Sequence, residues 1–367
     1  MQRLRGGVRR GDGGGIAVLA VVMLAGGVLL GMAALTLDVG QIYAEREELQ
    51  SGADAAAVAV AERCALRPDT CGPSPAGTAE RYADANAADG ASAVEAVCGA
   101  GPGPLPACPP PAENLTACLG DPPATGGYAE VRTRTRRPDG STLLPPILAG
   151  TLLGEEDHAG AVVRACARAA WGPPRRARGL GLTVSLCEWR DATSGGTVFG
   201  PPPPGVPDAS AEVVLRLHTT TAGRCPAGPS GGDTPGGFGW LDDPDGGCTA
   251  LVDTDGTYGG DPGVAVSRAC GDAFADLRDG RRPAFLPIYE SVTGTGQNTR
   301  YAIAGFAPFV ITGYGLPGLE QPSRLTRRAH CSGSDKCVYG YFVRALMPGK
   351  GRIAGPDLGA AIVTLIG

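Results

Sequence analysis

The sequence predicts an α+β protein in which an N-terminal transmembrane helix continues into a helical stalk, followed by a mainly antiparallel β domain stabilised by disulfides. Three observations lead to this prediction. Residues 16–37 are apolar and carry no charge. Apolar residues then recur at helical spacing, and beyond residue 128 they alternate as in strands. The chain of 367 residues also contains 12 cysteines, an even number typical of oxidised, exported proteins.

The apolar segment, residues 16–37, is long enough to cross a membrane. A helix rises about 1.5 Å per residue, and the hydrocarbon core is about 30 Å thick. Arginines precede the segment and acidic residues follow it, so residues 1–15 are predicted to be a cytoplasmic basic tail and the remainder to lie outside the cytoplasmic membrane. A cleaved signal peptide is the alternative. The length of the segment and the lack of an A-x-A site count against it.

The following segments define the predicted domain organisation. Alanine-rich helical periodicity over residues 38–97 predicts a stalk, made of one helix to about residue 63 and a second over residues 76–97. Residues 98–127 are rich in proline and glycine and are predicted to form a linker. Residues 128–367 are predicted to be a β-rich extracytoplasmic domain, with strand candidates at 131–135, 161–169, 182–186, 212–220, 301–312, 338–346 and 358–366.

The cysteines favour disulfides over metal binding. No C-x2-C pair occurs, and the three histidines are scattered, so zinc is disfavoured and no cofactor is expected. Short spacing makes Cys64 with Cys71, and Cys331 with Cys337, candidate disulfides. The complete connectivity stays open, because 12 cysteines allow about ten thousand pairings.

An ordered motif follows the apolar segment. An Asp-Val-Gly-x-x-Tyr string is succeeded by a Leu-Gln-x-x-Ala-Asp-Ala-Ala-Ala box. The motif residues are Asp38, Gly40, Tyr43, Leu49, Gln50, Ala53, Asp54, Ala55 and Ala56. In order and spacing, residues 13–62 resemble the N-terminal segment of TadE/TadG-like Flp (tight adherence) pilus-assembly proteins. The resemblance implies a role in a Flp/Tad pilus or related secretion machine, with helix-packing motif residues and other Tad/Flp subunits as partners.

The sequence also departs from two patterns found in that family. Prepilin-like members carry a glutamate in the apolar helix, whereas none lies between Gly11 and Leu37 here. Metal-adhesion members carry Asp-x-Ser-x-Ser, whereas Asp208 and Ser210 are followed by Glu212, so such a metal site is rejected. The remaining chain resembles TadG-related ectodomains in three tryptophan-containing strings: residues 170–173, 187–189 and 237–241.

The acidic, glycine-rich stretch 242–261 is the remaining candidate for a binding site. Its aspartates, which supply oxygens suited to calcium, are Asp242, Asp243, Asp245, Asp253, Asp255 and Asp261. The stretch fails the EF-hand pattern, with Tyr258 in place of the loop glycine and Val264 in place of the final glutamate. Ordinary surface turns are therefore favoured over a calcium site.

The sequence gives no support to two broad functional classes. A net charge of −5 does not favour a nucleic-acid partner. G-x-S-x-G, P-loop and H-E-x-x-H motifs are lacking, so we expect no enzyme; a triad of His218 with Ser267, Asp272 or Ser332 has no geometric basis in sequence. The resulting expectation is a membrane-anchored structural or accessory component of a Flp/Tad system, in contact with the lipid bilayer. An envelope-anchored adhesion protein is the alternative, followed by a secreted hydrolase.

Overall fold

The computed structural model shows an α+β architecture with five α-helices in the described part of the chain. The described residues are 13–25, 27–110, 115, 122–148, 160–218, 236–243, 245–261, 267–294, 296–333, 335–349 and 351–366. The helices are α1 (Gly13–Ala25), α2 (Val28–Leu66), α3 (Pro75–Ala85), α4 (Leu186–Ala192) and α5 (Arg268–Asp279). The predicted basic tail before Gly13, together with His158, Cys118 and Cys225, lies outside the described residues.

The strands form two large sheets and a small one. The strands are β1 (Ser92–Ala100), β2 (Gly127–Thr135), β3 (Arg164–Gly172), β4 (Arg176–Leu180), β5 (Leu182–Ser185), β6 (Val213–His218), β7 (Gly236–Leu241), β8 (Thr249–Asp253), β9 (Thr257–Asp261), β10 (Pro283–Thr293), β11 (Arg300–Leu316), β12 (Leu319–Gln321), β13 (Cys337–Phe342), β14 (Ala345–Leu346) and β15 (Ala360–Leu365). The first sheet is five-stranded, in the order β1-β2-β3-β15-β14, and β4 pairs with β8 in the small sheet.

The second large sheet has eight strands, in the order β10-β5-β7-β6-β13-β11-β12, with β9 beside β7 and β11. Because β10 also pairs with β11, this sheet closes on itself. Its main core is aromatic and aliphatic, and includes Phe274, Leu286 and Phe309, all completely buried. Most strand pairs are antiparallel, as predicted; β5–β10 and β14–β15 are parallel pairs.

The N-terminal helix differs from the prediction. The segment is two helices, because α1 ends at Ala25 and α2 begins at Val28 after Gly27, whose φ is 69°. Glycine adopts this left-handed conformation without the steric cost of a Cβ atom, so the chain turns there. The prediction of one continuous helix from residue 16 is therefore wrong. None of the helices in the described ranges combines the length and the hydropathy required to cross a membrane.

The predicted stalk is also only partly correct. The second helix ends at Ala85 instead of residue 97, and after a turn at Gly90 (φ 72°) the chain enters β1. Residues 92–97, which were predicted to continue the second helix, instead lie in a strand paired with β2. From Leu49 onward, one side of α2 is buried against the first sheet, so this part of the helix is not a free-standing stalk.

The strand candidates from sequence each overlap an observed strand, but the sequence patterns do not predict β1, β4, β7, β8, β9, β10 or β12. The longest of these is β10. Pro283 and Pro287 interrupt its apolar pattern, and proline weakens a strand prediction because it cannot donate a ladder hydrogen bond. Four disulfides lie within the described residues: Cys64–Cys71, Cys98–Cys108, Cys248–Cys270 and Cys331–Cys337. Both pairs proposed from short spacing are among them.

Candidate helix-docking site

The C-terminal half of α2 presents a continuous stripe of small side chains. Leu49 is 2% exposed, and Ala53, Ala56 and Val60 are completely buried. These positions recur at steps of three and four residues, so they lie on one side of the helix. The alanine-rich box of the sequence motif therefore forms a packing surface. We call it the alanine face; it comprises Ala53, Ala56, Ala57, Val60 and Ala61.

The surface of the first sheet that meets the alanine face also consists mostly of small side chains, with Trp171 of β3 as the large exception. Ala129 and Val131 of β2, Ala167 and Ala169 of β3, and Ala361 of β15 belong to the same buried cluster. Small side chains on both partners leave little volume between the helix and the sheet, and interiors are packed densely enough that added methylene groups cost stability. Burial of these groups contributes about 0.8 kcal/mol per methylene-sized group.

Polar groups fix the position of α2 along the sheet. The side-chain amide of Gln50 donates to the carbonyl oxygen of Cys166 at 3.0 Å and to Oδ1 of Asp54 at 2.9 Å. The hydroxyl of Thr133 donates to the carbonyl oxygen of Leu49 at 3.0 Å. Cys166 lies on β3 and Thr133 on β2, so two neighbouring strands hold one turn of the helix. Because hydrogen bonds are directional, these contacts fix the position of the alanine face relative to the strands.

The helix α3 packs against another side of α2. A Cβ atom on Gly52 would lie 3.2 Å from both Cα and the carbonyl oxygen of Ala83, so the glycine permits a close backbone approach. Glu48 accepts a hydrogen bond from the backbone N–H of Ala88 at 2.8 Å, which anchors the turn after α3.

The remaining motif residues separate into bonded and exposed groups. Oδ1 of Asp38 accepts hydrogen bonds from the backbone N–H groups of Ile147 at 2.6 Å and Leu148 at 3.1 Å. Tyr43 is 62% exposed, and a Cβ atom added to Gly40 would meet nothing within 4 Å. The structure therefore brings the alanine-rich box onto the sheet and leaves the Gly-x-x-Tyr part open.

Glu45 lies on α2 between Tyr43 and Leu49, and its side-chain carboxyl has a shifted pKa. Partial burial raises the pKa of its carboxyl above the usual 4.5, a hydrogen bond with Thr135 opposes the rise, and repulsion from Glu48 and Asp89 adds to it. Burial disfavours the charged form because the carboxylate loses hydration. The helix thus carries an acid that destabilises its docked position when ionised.

The opposite surface of the first sheet carries a buried ion-pair network. Glu130 is bonded by Arg132 at 2.8 Å and by Arg168 at 2.7 Å, and all three side chains are largely buried. Glu130 also lies near Cys98 and Cys108 in a group with metal-ligand spacing. Since these two sulfurs form a disulfide, they are not thiolates, and the group does not fit a metal ion.

The acidic stretch 242–261 is held by arginines. Arg175 pairs with Asp253 at 3.4 Å and Asp255 at 2.8 Å, while Arg178 pairs with Asp245 at 3.2 Å. Within the described residues, the stretch contains no three ligand atoms close enough together to bind one ion. The geometry favours the surface-turn interpretation over the calcium site.

A buried carboxylate lies immediately before β6 of the second sheet, and the sequence patterns do not predict it. The side chain of Glu212 is 2% exposed, and it accepts hydrogen bonds from the hydroxyls of Thr312, Ser323 and Thr326. Nε2 of His330 lies 2.7 Å from Oε2 of Glu212. The bonding partners lie 100 to 118 positions from Glu212, so no local spacing could have revealed the cluster. In the sequence, Glu212 is notable only because it stands where the Asp-x-Ser-x-Ser motif requires serine.

This cluster holds loops in place and lacks the geometry of a catalytic triad. Ser323 donates to the carboxylate at 2.6 Å. The hydroxyl of Thr326 and Oε2 of Glu212 both lie at Nε2 of His330, at 3.1 Å and 2.7 Å, whereas in a triad the hydroxyl and the carboxylate bind opposite nitrogens of the imidazole. The ring of Tyr339 meets that of His330 edge-on at 4.8 Å. Burial, followed by the charge of Glu212, raises the pKa of Tyr339 to about 12. Ser267, one of the triad candidates from sequence, caps α5 by accepting a hydrogen bond from the N–H of Cys270 at 3.1 Å.

Comparison with protein families identifies the segment that contains the alanine face. Residues 14–63 match the sequence model of Tad, the TadE/G-like Flp pilus-assembly family. The segment is TadE/G-like. The matched region comprises nearly all of α1 and α2, so the resemblance inferred from the Asp-Val-Gly and Leu-Gln motifs is confirmed. The TadG-like resemblance of the later strings lies outside the match and stays a prediction. The comparisons found no match among curated proteins or among solved structures.

Proposed function

We propose that the protein is a membrane-anchored, non-enzymatic structural or accessory component of a Flp/Tad-type pilus assembly and secretion system. The observation that carries the proposal is the TadE/G-like match of residues 14–63, a segment whose two ends behave differently in the structure. Its C-terminal half is buried on the protein's own sheet, whereas its N-terminal half exposes apolar side chains. Such a segment is suited to link a folded domain to a separate apolar environment.

The apolar side chains of the N-terminal half support the membrane anchor. Ile16 is 76% exposed, Leu19 64%, and Leu35 65%. Exposed apolar surface costs about 25 cal/mol per Å² relative to burial, so a contiguous set of such side chains requires cover. We assign that cover to the bilayer, with the arginine-rich N-terminus on the cytoplasmic side and the sheets outside.

The exposed part of the motif supports contact with other pilus-assembly subunits. Val39, Ile42 and Tyr43 are 40%, 38% and 62% exposed, and they follow directly after the proposed anchor. Their side chains recur at three- and four-residue steps, the spacing at which one helix packs against another. A second Tad-type helix that emerges from the same membrane would meet this surface.

Loss of the gene tests the assignment to pilus assembly. In the source organism, deletion should abolish surface filaments seen by electron microscopy, and the wild-type gene should restore them. Normal filaments with reduced attachment to surfaces would refute the pilus role and favour the adhesion protein. Normal filaments together with a truncated, secreted product would favour the third alternative.

Crosslinking tests the partner surface. A photoreactive phenylalanine analogue in place of Tyr43 should give crosslinks to other pilus-assembly subunits in intact cells. Tyr82 on α3 is 40% exposed and lies outside the family motif, so the same substitution there is the matched control. Equal crosslinking at both positions, or none at Tyr43 in a piliated strain, would contradict the proposed surface.

A further inference from the structure

A short apolar loop lies beside the C-terminal end of the proposed anchor, residues 16–37. This loop comprises residues 143–148 and is called the 143–148 loop. Leu143 is 40% exposed and Ile147 is 51% exposed, and Pro145 between them is exposed as well. Leu144, which lies between the exposed residues Leu143 and Pro145, is only partly exposed and packs on the buried cluster that contains Leu49. The loop therefore presents three apolar side chains on one side while its other side is fixed to the protein.

The backbone N–H groups of this loop do not depend on water for hydrogen bonds. Leu144 donates its N–H to the carbonyl of Ala161 at 2.9 Å. The next two residues are prolines, which have no N–H group. The N–H groups of Ile147 and Leu148 are bonded to Asp38. No amide hydrogen from residue 144 to residue 148 would lose water on entering a lipid interface, which removes the main cost of placing irregular backbone there.

Asp38 also determines where the loop lies relative to the anchor. It is the first charged residue after the uncharged residues 16–37. Its neighbours Leu37 and Val39 are 50% and 40% exposed. Asp38 therefore joins two exposed apolar surfaces, that of α2 around Leu37 and Val39 and that of the 143–148 loop. The nearest charged residues along the loop's own chain are Asp139 and Glu155, so the loop itself carries no charged side chain.

We propose that the 143–148 loop is a second membrane contact, inserted into the headgroup and upper acyl region of the outer leaflet of the cytoplasmic membrane. This inference rests on the membrane anchor proposed above. Interfacial elements bury their apolar side about 5–10 Å into that boundary. A second contact restrains rotation of the domain about the anchor helix and so fixes which side of α2 faces neighbouring subunits.

Tryptophan fluorescence in brominated lipids tests the proposal with the full-length protein. Single variants Ile147→Trp, Val21→Trp and Val206→Trp are reconstituted into phosphatidylcholine vesicles brominated near the headgroup end of the acyl chains. The wild-type signal from the three native tryptophans is subtracted. Val21 reports the anchor, and Val206, which is 59% exposed in a loop of the other sheet, is the matched control.

The expected result is a loss of about half or more of the added fluorescence for both Ile147→Trp and Val21→Trp, and no loss for Val206→Trp. Quenching of Val21→Trp without quenching of Ile147→Trp would overturn the loop contact and leave the anchor intact. Absence of quenching at Val21 would overturn the anchor, and the loop proposal with it. Equal quenching of Ile147→Trp and Val206→Trp would also overturn the loop proposal, because the effect would not be specific to the loop.

Discussion

The side-chain amide of Gln50 reaches across to the backbone carbonyl of Cys166, with 3.0 Å between nitrogen and oxygen. Gln50 belongs to the TadE/G-like motif, and Cys166 lies on β3 of the adjoining sheet. This bond joins the family segment to a part of the chain that lies outside the family match. The motif helix and the sheet are therefore one structural unit.

Loss of this bond should weaken the unit. Gln50→Ala is expected to destabilise the protein by about 1 kcal/mol, because a net hydrogen bond is removed and the Cys166 carbonyl loses its side-chain donor. Thermal unfolding in detergent measures the change. Glu47→Ala, at an exposed position on the same helix, is the control. A midpoint equal to that of the control would show that the bond does not contribute.

Enlarging the alanine face should separate the helix from the sheet. Ala56→Leu places three extra carbon atoms where exposure is zero, and overpacking of this kind typically costs about 1–3 kcal/mol. The same change at Ala44, an exposed alanine of α2, should have little effect. Chemical denaturation of both variants distinguishes packing from helix propensity. Similar losses for the two would contradict the docking face.

The pH dependence of stability should report Glu45. Its pKa is raised in the fold, so the stability that the protonated form contributes is present below pH 4.5 and is lost as the pH rises through the folded pKa. At neutral pH, Glu45→Gln should therefore raise the thermal midpoint above that of the wild type, and the advantage should vanish near pH 4. Glu47→Gln provides the exposed control. A pH-independent effect of the Glu45 change would refute this explanation.

The buried carboxylate of Glu212 should be among the most sensitive positions in the second sheet. Glu212→Ala leaves several hydroxyl groups and an imidazole without their acceptor, and each unsatisfied buried group costs about 1–3 kcal/mol. We expect severe loss of folded protein, with partial recovery in Glu212→Gln. Glu320→Gln, at an exposed position, is the control. A fully stable Glu212→Ala protein would show that water replaces the carboxylate.

Amide hydrogen exchange should follow the bond from Asp38. In Asp38→Ala the N–H groups of Ile147 and Leu148 lose their acceptor, and their exchange should accelerate relative to the wild type. The amide of Leu144, which donates to Ala161, serves as an internal reference. Unchanged exchange at Ile147 would show that another acceptor holds the loop.

Sequence patterns predicted the α+β class, the strands with uninterrupted alternation and the family motif, because these depend on neighbouring residues. The alternation of charged and uncharged residues in β2 could be recognised because one side of the strand faces α2 and the other carries Glu130, Arg132 and Arg134. The docking of Ala53 was not predicted. A stripe of alanines is compatible with a free helix, and the burying surface comes from strands far along the chain.

The differences between the predicted and the observed elements have specific physical causes. Gly27 could occur within a helix, and only its positive φ reveals the interruption. The valines of β1 are compatible with either period, and pairing with β2 decides between them. The Glu212 cluster joins residues from three distant segments, which no spacing rule connects.

The strand order of the first sheet also carries a consequence for timing. Ala361 of β15 closes the cluster against which Ala53 packs, although these residues are synthesised about three hundred positions apart. β15 is the last of the covering strands to be synthesised, so part of the alanine face stays uncovered after β2 and β3 have been made. Such a delayed contact invites premature association with other helices, so a chaperone or a partner subunit that shields α2 during biogenesis would increase the yield of folded protein.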